Sequence, residues 1–388
     1  MKHAIALLLV AAMLCLLCGC GSVFDKEYVV VSAYTPTPAD SSAREGRVTV
    51  RNLAELRAAL RNMVSAGETE RRIQFDSAYD GDVTEDLASA CWQVRTQDAL
   101  CAYCVENMAY DLSMIVSHYE ADIFVSYSPA ALGAEDIIQM QYAAGLEDTV
   151  REALEQGKAR LVVLLGSSVY SAEDMENLVT GVYRSCPASA PKEPTVSVNL
   201  FSGAGRQRLY EIRLRYGLSS TELENRRLAM AAFEPFEEGS AETLSADGRA
   251  LLACRWLMDH CAYDPGAAND IYSALIVGEA NSEGMALGYV ELCRRLNLPC
   301  QIVYGQRNWE NRCWNIVELD GVYYHVDPAA CSVEGLNSAF LLNDEQAWSE
   351  YRWDVSAYPA CSGEAYQLEQ PAEELQVTEE QQGTEAEA

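Results

Sequence analysis

Positive charge is scarce in this chain. Its 388 residues carry 28 Lys and Arg against 58 Asp and Glu, a formal charge of −30. So acidic a body repels phosphate backbones and anionic lipid headgroups, which excludes nucleic acid and a charge-held membrane surface as direct partners. Histidine is scarcer still, with 4 in the whole chain, and no two stand at a metal-chelating spacing. Cys101-Ala-Tyr-Cys104 is the one close thiol pair. It lacks the second pair that a zinc site needs, and a spacing of three puts both side chains on one helix face, as core packing would. Phosphate-binding loops are missing as well. The Gly-x-Gly of Phe201-Ser202-Gly203-Ala204-Gly205 lies between alternating strands with no helix after it, so a hairpin turn accounts for it. Leu165-Gly166-Ser167-Ser168 follows a buried strand without the P-loop lysine and reads as a turn. Neither a cofactor nor a metal is expected.

What is present suits a globular, exported protein. Hydrophobic residues make up 49% of the chain and aromatics 9%, enough for two domains with real cores. Lys2 and His3 precede the apolar run Ala4–Leu17, the pattern of a signal peptide over residues 1–19 rather than of a membrane span. The run closes on Leu17-Cys18-Gly19-Cys20, which resembles a bacterial lipobox and implies lipid on Cys20. Stable anchoring then needs two or three acyl chains on that residue. Residues 20–45, with Thr35-Pro36-Thr37-Pro38 and Ser41-Ser42, read as lipidated cysteine and tether. The expected location is the extracellular face of the bacterial cytoplasmic membrane. Beyond Cys20 the chain keeps 11 cysteines, an odd number, so at least one thiol stays free or pairs between molecules.

From 46 to 235 the chain repeats itself. One copy begins LAELRAALRNMVSAGETERRIQF at Leu53 and closes with EADIFVSYS from Glu120; the other begins LEDTVREALEQGKARLVVLL at Leu146 and closes with LYEIRLRYG from Leu209. Helical spacing of Leu53, Leu56, Leu60 and Val64, and of Leu146, Val150 and Leu154, predicts a helix leading into a strand in each copy. Second helices are expected over Asp86–Tyr110 and Ala172–Arg184, giving two α/β sandwich-type repeats side by side. His118 is expected at a helix end or on the surface. Residues 364–388, with eight acidic residues and no basic one, should be a disordered tail.

The pattern changes in residues 236–363. ADGRALLACRWLMDHCAYD reads as a helix with Leu251, Leu252, Trp256 and Leu257 among its buried positions and His260 capping its end. Then come ANSEGMALGYVELCRRLNLPCQIVYG from Ala280 and RCWNIVELDGVYYHVDPAAC from Arg312 to Cys331. Met285, Tyr289, Leu292 and Leu296 form a helical stripe over 282–296, with Ser282 at its N-cap. Asp320-Gly321 is a two-residue turn, and counting outward pairs Ile316 with His325 and Trp314 with Asp327. Arg312 then reaches Asp327 diagonally, and Cys313 faces the other way.

These segments resemble the core of the transglutaminase-like superfamily, and the likeness runs on through Phe340-Leu341-Leu342-Asn343-Asp344-Glu345 and Trp353-Asp354 to Tyr358-Pro359. The resemblance implies an α+β class, with a C-terminal papain-like domain after the two repeats. It also implies three catalytic positions. Ser282 stands where the family has its nucleophilic cysteine, Arg312 where it has its histidine, and Asp327 keeps the aspartate; Gly284, Trp314, Asn315 and His325 belong to the surrounding motif. A cysteine on the first turn of a helix is made acidic by the amide dipoles, whereas a serine hydroxyl needs a base beside it. Arginine stays protonated and cannot be that base. The expectation is therefore a degenerate, non-catalytic domain, a pseudoenzyme that holds a peptide, protein or cell-wall component in the former substrate cleft. The alternative is an acyl transferase or amide hydrolase of the family, working through Ser282 or through a relocated thiol and His325.

Overall fold

The two sequence copies fold into two four-stranded sheets of identical strand order. The structure is a computed structural model that describes residues 48–367 apart from 132, 134, 135, 238 and 240. The expected signal segment, Cys20, the tether and the tail beyond residue 367 lie outside the described residues. In the first copy β1 (Val48–Asn52), α1 (Leu53–Ser65), β2 (Glu70–Asp80), α2 (Val83–Gln97), α3 (Ala99–Cys104), β3 (Val105–Ile115) and β4 (His118–Tyr127) follow one another. Their sheet has the order β1-β2-β4-β3, parallel between β1 and β2 and antiparallel elsewhere. In the second copy β5 (Ile138–Met140), α4 (Leu146–Glu155), β6 (Arg160–Leu165), α5 (Ala172–Ser185), β7 (Thr195–Ser202) and β8 (Arg208–Arg215) give the order β5-β6-β8-β7. By contact the chain divides into two units, one of residues up to Gln139 with Phe201–Leu209, the other of Met140–Leu200 with Tyr210 onward.

The expected stripes are buried at Leu56, Leu60 and Val64 on α1 and at Leu146, Val150 and Leu154 on α4, while Leu53, the first residue of α1, is half-buried. One element differs from expectation. The single helix over Asp86–Tyr110 is two helices and a strand. Asp98 takes an extended conformation, φ −110 and ψ 126, and its carboxylate accepts the Cys101 amide, so the helix stops and a new one starts. Cys101 and Cys104 are both buried on that short α3. From Val105 exposure varies with a strand's period and the chain pairs with β4. His118 is half-buried on β4, with Nε2 3.3 Å from Glu120, and not at a helix end.

The last part of the chain supplies α6 (Ser220–Ala231), α7 (Ala246–His260), the short parallel pair β9 (Ala262–Tyr263) and β10 (Glu279–Ala280), and α8 (Ser282–Arg295). A third sheet follows, built from β11 (Cys300–Arg307), β12 (Glu310–Leu319), β13 (Val322–Val326) and β14 (Tyr351–Trp353) in the order β13-β12-β11-β14, antiparallel throughout. Helices α9 (Pro328–Glu334) and α10 (Asp344–Ala347) lie between β13 and β14 in the chain. On α7 the small residues Ala250, Ala253 and Cys254 are buried with Leu257, while Leu251, Leu252 and Trp256 are half-buried at its edges, a rotation of the expected stripe. His260 ends that helix as expected, its Nδ1 2.8 Å from the Trp256 carbonyl.

Trp314 anchors the third sheet. It is wholly buried with Val303, Ile316, Ala347, Tyr351 and Cys361. The β12–β13 hairpin turns at Asp320 and Gly321, both at positive φ, and pairs Ile316 with His325 as counted from the sequence. The ladder stops one step sooner than expected, at Asn315 and Val326. Asp327 does not pair with Trp314. Its amide donates to the Ala339 carbonyl and its side chain caps α9 through the Ala330 amide, because Pro328 offers no N–H to continue a ladder.

Gly305 on β11 marks how closely the sheet is filled over Trp314: a methyl group there would come within 2.6 Å of the indole ring and would also strike the Arg352 carbonyl. Gly305→Ala is expected to overpack this layer and to cost about 1–3 kcal/mol, read as a lower denaturation midpoint at an unchanged unfolding slope.

Candidate functional site

The N-terminus of α8 faces the middle of β12. Its cap is Asn281, in an extended conformation, whose side-chain oxygen accepts the Glu283 amide at 3.0 Å and the Gly284 amide at 3.1 Å. Ser282, expected as the cap, is instead the first helical residue, because the carboxamide before it already serves both amides. Its hydroxyl accepts the backbone N–H of Cys313 at 3.3 Å. Gly284 lets the first turn approach closely, since a methyl group there would lie 2.9 Å from the Ala280 side chain and 3.1 Å from the Asp270 carbonyl. Asn315, fully buried, donates to the Ala286 carbonyl at 3.0 Å and so ties β12 to α8.

Arg312 and Asp327 meet as expected, although the Trp314–Asp327 pairing from which the contact was counted does not form. The guanidinium donates twice, Nε to Oδ2 at 2.8 Å and Nη2 to Oδ1 at 2.9 Å. The side chains are 10% and 1% exposed, so this is a buried, bidentate ion pair. Asp327 also accepts the Tyr351 hydroxyl at 3.0 Å and the Ala330 amide at 2.9 Å. Burial alone would lower the pKa of Arg312, but the Asp327 charge and hydrogen bonds outweigh it and the net shift is upward. The guanidinium packs 4.8 Å from the Tyr263 ring centre. No proton acceptor is left at this position, and the aspartate that could have oriented one is fully used.

Further half-buried polar groups stand near Ser282. Tyr304 donates to Glu283 at 3.2 Å, and Arg184 lies 4.4 Å over the Tyr304 ring while pairing with Glu193 at 3.3 Å. Burial raises the pKa of Glu193 against the pull of Arg184. Burial likewise pushes the Cys313 thiol up to about 12, so it is not a nucleophile at neutral pH.

His325 is committed elsewhere. The indole N–H of Trp314 donates to its Nδ1 at 3.0 Å, which leaves the proton on Nε2, 2.9 Å from Asp344 Oδ1. Cys361 lies in the same cluster, and the three ligand atoms fall within 4.8 Å of one another. This is a thiol beside the histidine, but not one that sequence reasoning had singled out. It is buried, and burial pushes it up to about 12. Nor does the trio suit a cation. A metal on Nε2 would shift the ring proton to Nδ1, against the Trp314 N–H. Sequence reasoning also missed Tyr351, Tyr263, Arg184 and Glu193 as parts of this region. Tyr263 and Tyr351 stand in or beside segments read from the sequence, but nothing local marks them as partners of Arg312 and Asp327; Arg184 and Glu193 are far from the motifs in the chain.

Residues 237–328 match the model of the transglutaminase-like superfamily, a span that includes Ser282, Arg312 and Asp327. Among solved structures the chain is similar to the crystal structure of a TGase, at 12% identity and a TM-score of 0.24, over 53% of this chain and 60% of that one. It is also similar to a candidate cysteine protease from Cytophaga hutchinsonii, at 11% identity and a TM-score of 0.21, over 35% of this chain and 62% of that one. The chain thus spans less than two thirds of either structure. No curated protein matches it.

Two outcomes follow from this geometry. Arg312→Met strands Asp327 in a buried setting and is expected to cost about 3–5 kcal/mol in chemical denaturation, whereas Arg312→His, which can still donate to the carboxylate, costs less. For His325, burial lowers the pKa below the ordinary 6.5, although the bond to Asp344 opposes it. The folded chain therefore binds this proton less readily than the unfolded chain. Its stability is full above 6.5 and is lost as the pH falls through that value toward the lowered folded pKa. A melting temperature followed from about pH 7.5 down to about pH 5 should fall, and His325→Gln should flatten that slope.

Proposed function

Because its C-terminal part is a transglutaminase-like domain of α+β class, we propose that this domain is a non-catalytic binding module. In this reading it belongs to a lipoprotein held at the outer face of the cytoplasmic membrane through Cys20, and the cleft beside Ser282 holds a peptide or cell-wall component. One observation carries the reading. The position from which the family's histidine would deprotonate a nucleophile is filled by Arg312, closed into a bidentate pair with Asp327. A hydroxyl without a base is inert toward amides, and the Ser282 hydroxyl is engaged by the Cys313 amide as well. Support for a retained scaffold comes from the Asn315 tie of β12 to α8, the close approach at Gly284 and the packed Trp314 core. Among the described residues no helix is long and apolar enough to cross a membrane, so anchoring in this proposal rests on the lipid.

The test restores what is missing. Wild-type protein is expected to show no labelling at position 282 by a serine-directed fluorophosphonate and no release of ammonia or amine from amide substrates. The double variant Ser282→Cys, Arg312→His should react with iodoacetamide at position 282 at neutral pH faster than Ser282→Cys alone, as a thiolate paired with histidine would. Fluorophosphonate labelling of wild-type Ser282 would overturn the proposal. Binding is read separately, by calorimetry with soluble cell-wall stem peptides. Ser282→Trp, which fills the cleft, should weaken it at least about tenfold, or about 1.4 kcal/mol.

A further inference from the structure

A second feature of the third sheet has no role in the cleft. Strands β11 and β12 are joined by the two-residue turn Asn308-Trp309, with Arg307 paired to Glu310 across it. Both turn residues have positive φ, 50 and 71 degrees. A turn of this type favours asparagine and then glycine, because a side chain at the second position strains the backbone. Here the second position holds tryptophan, and its side chain is 78% exposed. The residue least suited to the turn buries little in exchange, and such conflicts collect where a side chain serves a ligand.

Trp309 is not isolated. The Arg352 guanidinium sits 5.7 Å from its ring centre and 5.3 Å from that of Trp348, which is 40% exposed and stacks on Trp353 at 4.5 Å. Two accessible indoles thus flank one cationic donor. Asn308, Glu310, Asn311, Glu345, Ser349 and Asp354 nearby in the chain are polar, and all are exposed or half-exposed.

We infer that this tryptophan–arginine platform is a binding site for the pyranose rings of an uncharged glycan strand. Sugar rings present apolar C–H faces that stack on indole, and hydroxyl edges that hydrogen-bond to guanidinium, amide and carboxylate groups. The surroundings argue against other occupants. A protein partner needs on the order of 800 Å² of surface per side with a dry apolar centre, and the polar groups around these two rings do not supply one. The charge of −30 opposes anionic polymers and anionic bilayers. The platform is separate from the cleft residues tested above, so either site can fail alone.

The test uses the full-length chain and chitotetraose as the probe, followed by tryptophan fluorescence and calorimetry. Binding is expected for wild type. Trp309→Gly should weaken it at least about tenfold while leaving the melting temperature equal or higher, since glycine relieves the turn. Trp348→Ala should weaken it independently, and Ser282→Trp should not affect it. No binding of chitotetraose, or unchanged affinity in both tryptophan variants, overturns the inference. A marked loss of stability in Trp309→Gly would do so too, because it would make the tryptophan a structural residue. Co-sedimentation with phosphatidylcholine vesicles that disappears in Trp309→Gly would reassign the platform to a membrane surface, and self-association lost in that variant would reassign it to a second copy.

Discussion

The Arg312–Asp327 pair is the constraint on which the C-terminal domain turns. Two charges with side chains 10% and 1% exposed can persist only if each satisfies the other and the remaining lone pairs find donors. The bidentate contact does the first, and the Tyr351 hydroxyl and Ala330 amide do the second. Asp327 thereby ties two things together: the start of α9, through the Ala330 amide, and β14, through the Tyr351 hydroxyl.

Trp314 plays the complementary part on the apolar side. Its ring fills the centre of the third sheet, its indole N–H fixes the tautomer of His325, and its bulk requires glycine at 305. The only imidazole in this layer is thus turned into a neutral structural group. A histidine with both nitrogens spent cannot act as a base, however close a thiol lies. The cluster with Asp344 and Cys361 has the composition of a catalytic or metal site, yet its hydrogen-bond directions suit neither. Donor and acceptor polarity decides this, which a residue count would not.

The half-buried polar walls near Ser282 have a different character. Arg184, Glu193, Tyr304 and Glu283 form a chain of ion pair, ring contact and hydrogen bond. Arg184 and Glu193 lie in Met140–Leu200, the stretch of the second repeat that shares a contact unit with the C-terminal part. The half-buried carboxylates of Glu193 and Glu283 each have a donor beside them, as burial requires.

How much of this was legible beforehand follows the range of the interactions. Helices α1, α4 and α8, the Asp320-Gly321 hairpin and the pairing of Ile316 with His325 could be read from the sequence, because apolar period and turn chemistry act over a few residues. The meeting of Arg312 and Asp327 could be expected too, although the hairpin register that suggested it stops one pair short of Asp327. The cap at Asn281 rather than Ser282 and the break at Asp98 did not, because two adjacent polar residues compete for the same amides and only the backbone angles choose between them. Tyr351, Asp344, Cys361 and Arg184 entered the region through contacts across tens of residues, which no local pattern encodes. By itself the sequence determined the likeness of residues 237–328 to a transglutaminase-like domain and which residues stand at its motif positions. Only the tertiary structure decided what the surviving groups do instead, because the direction of a hydrogen bond and the burial of a charge are properties of packing.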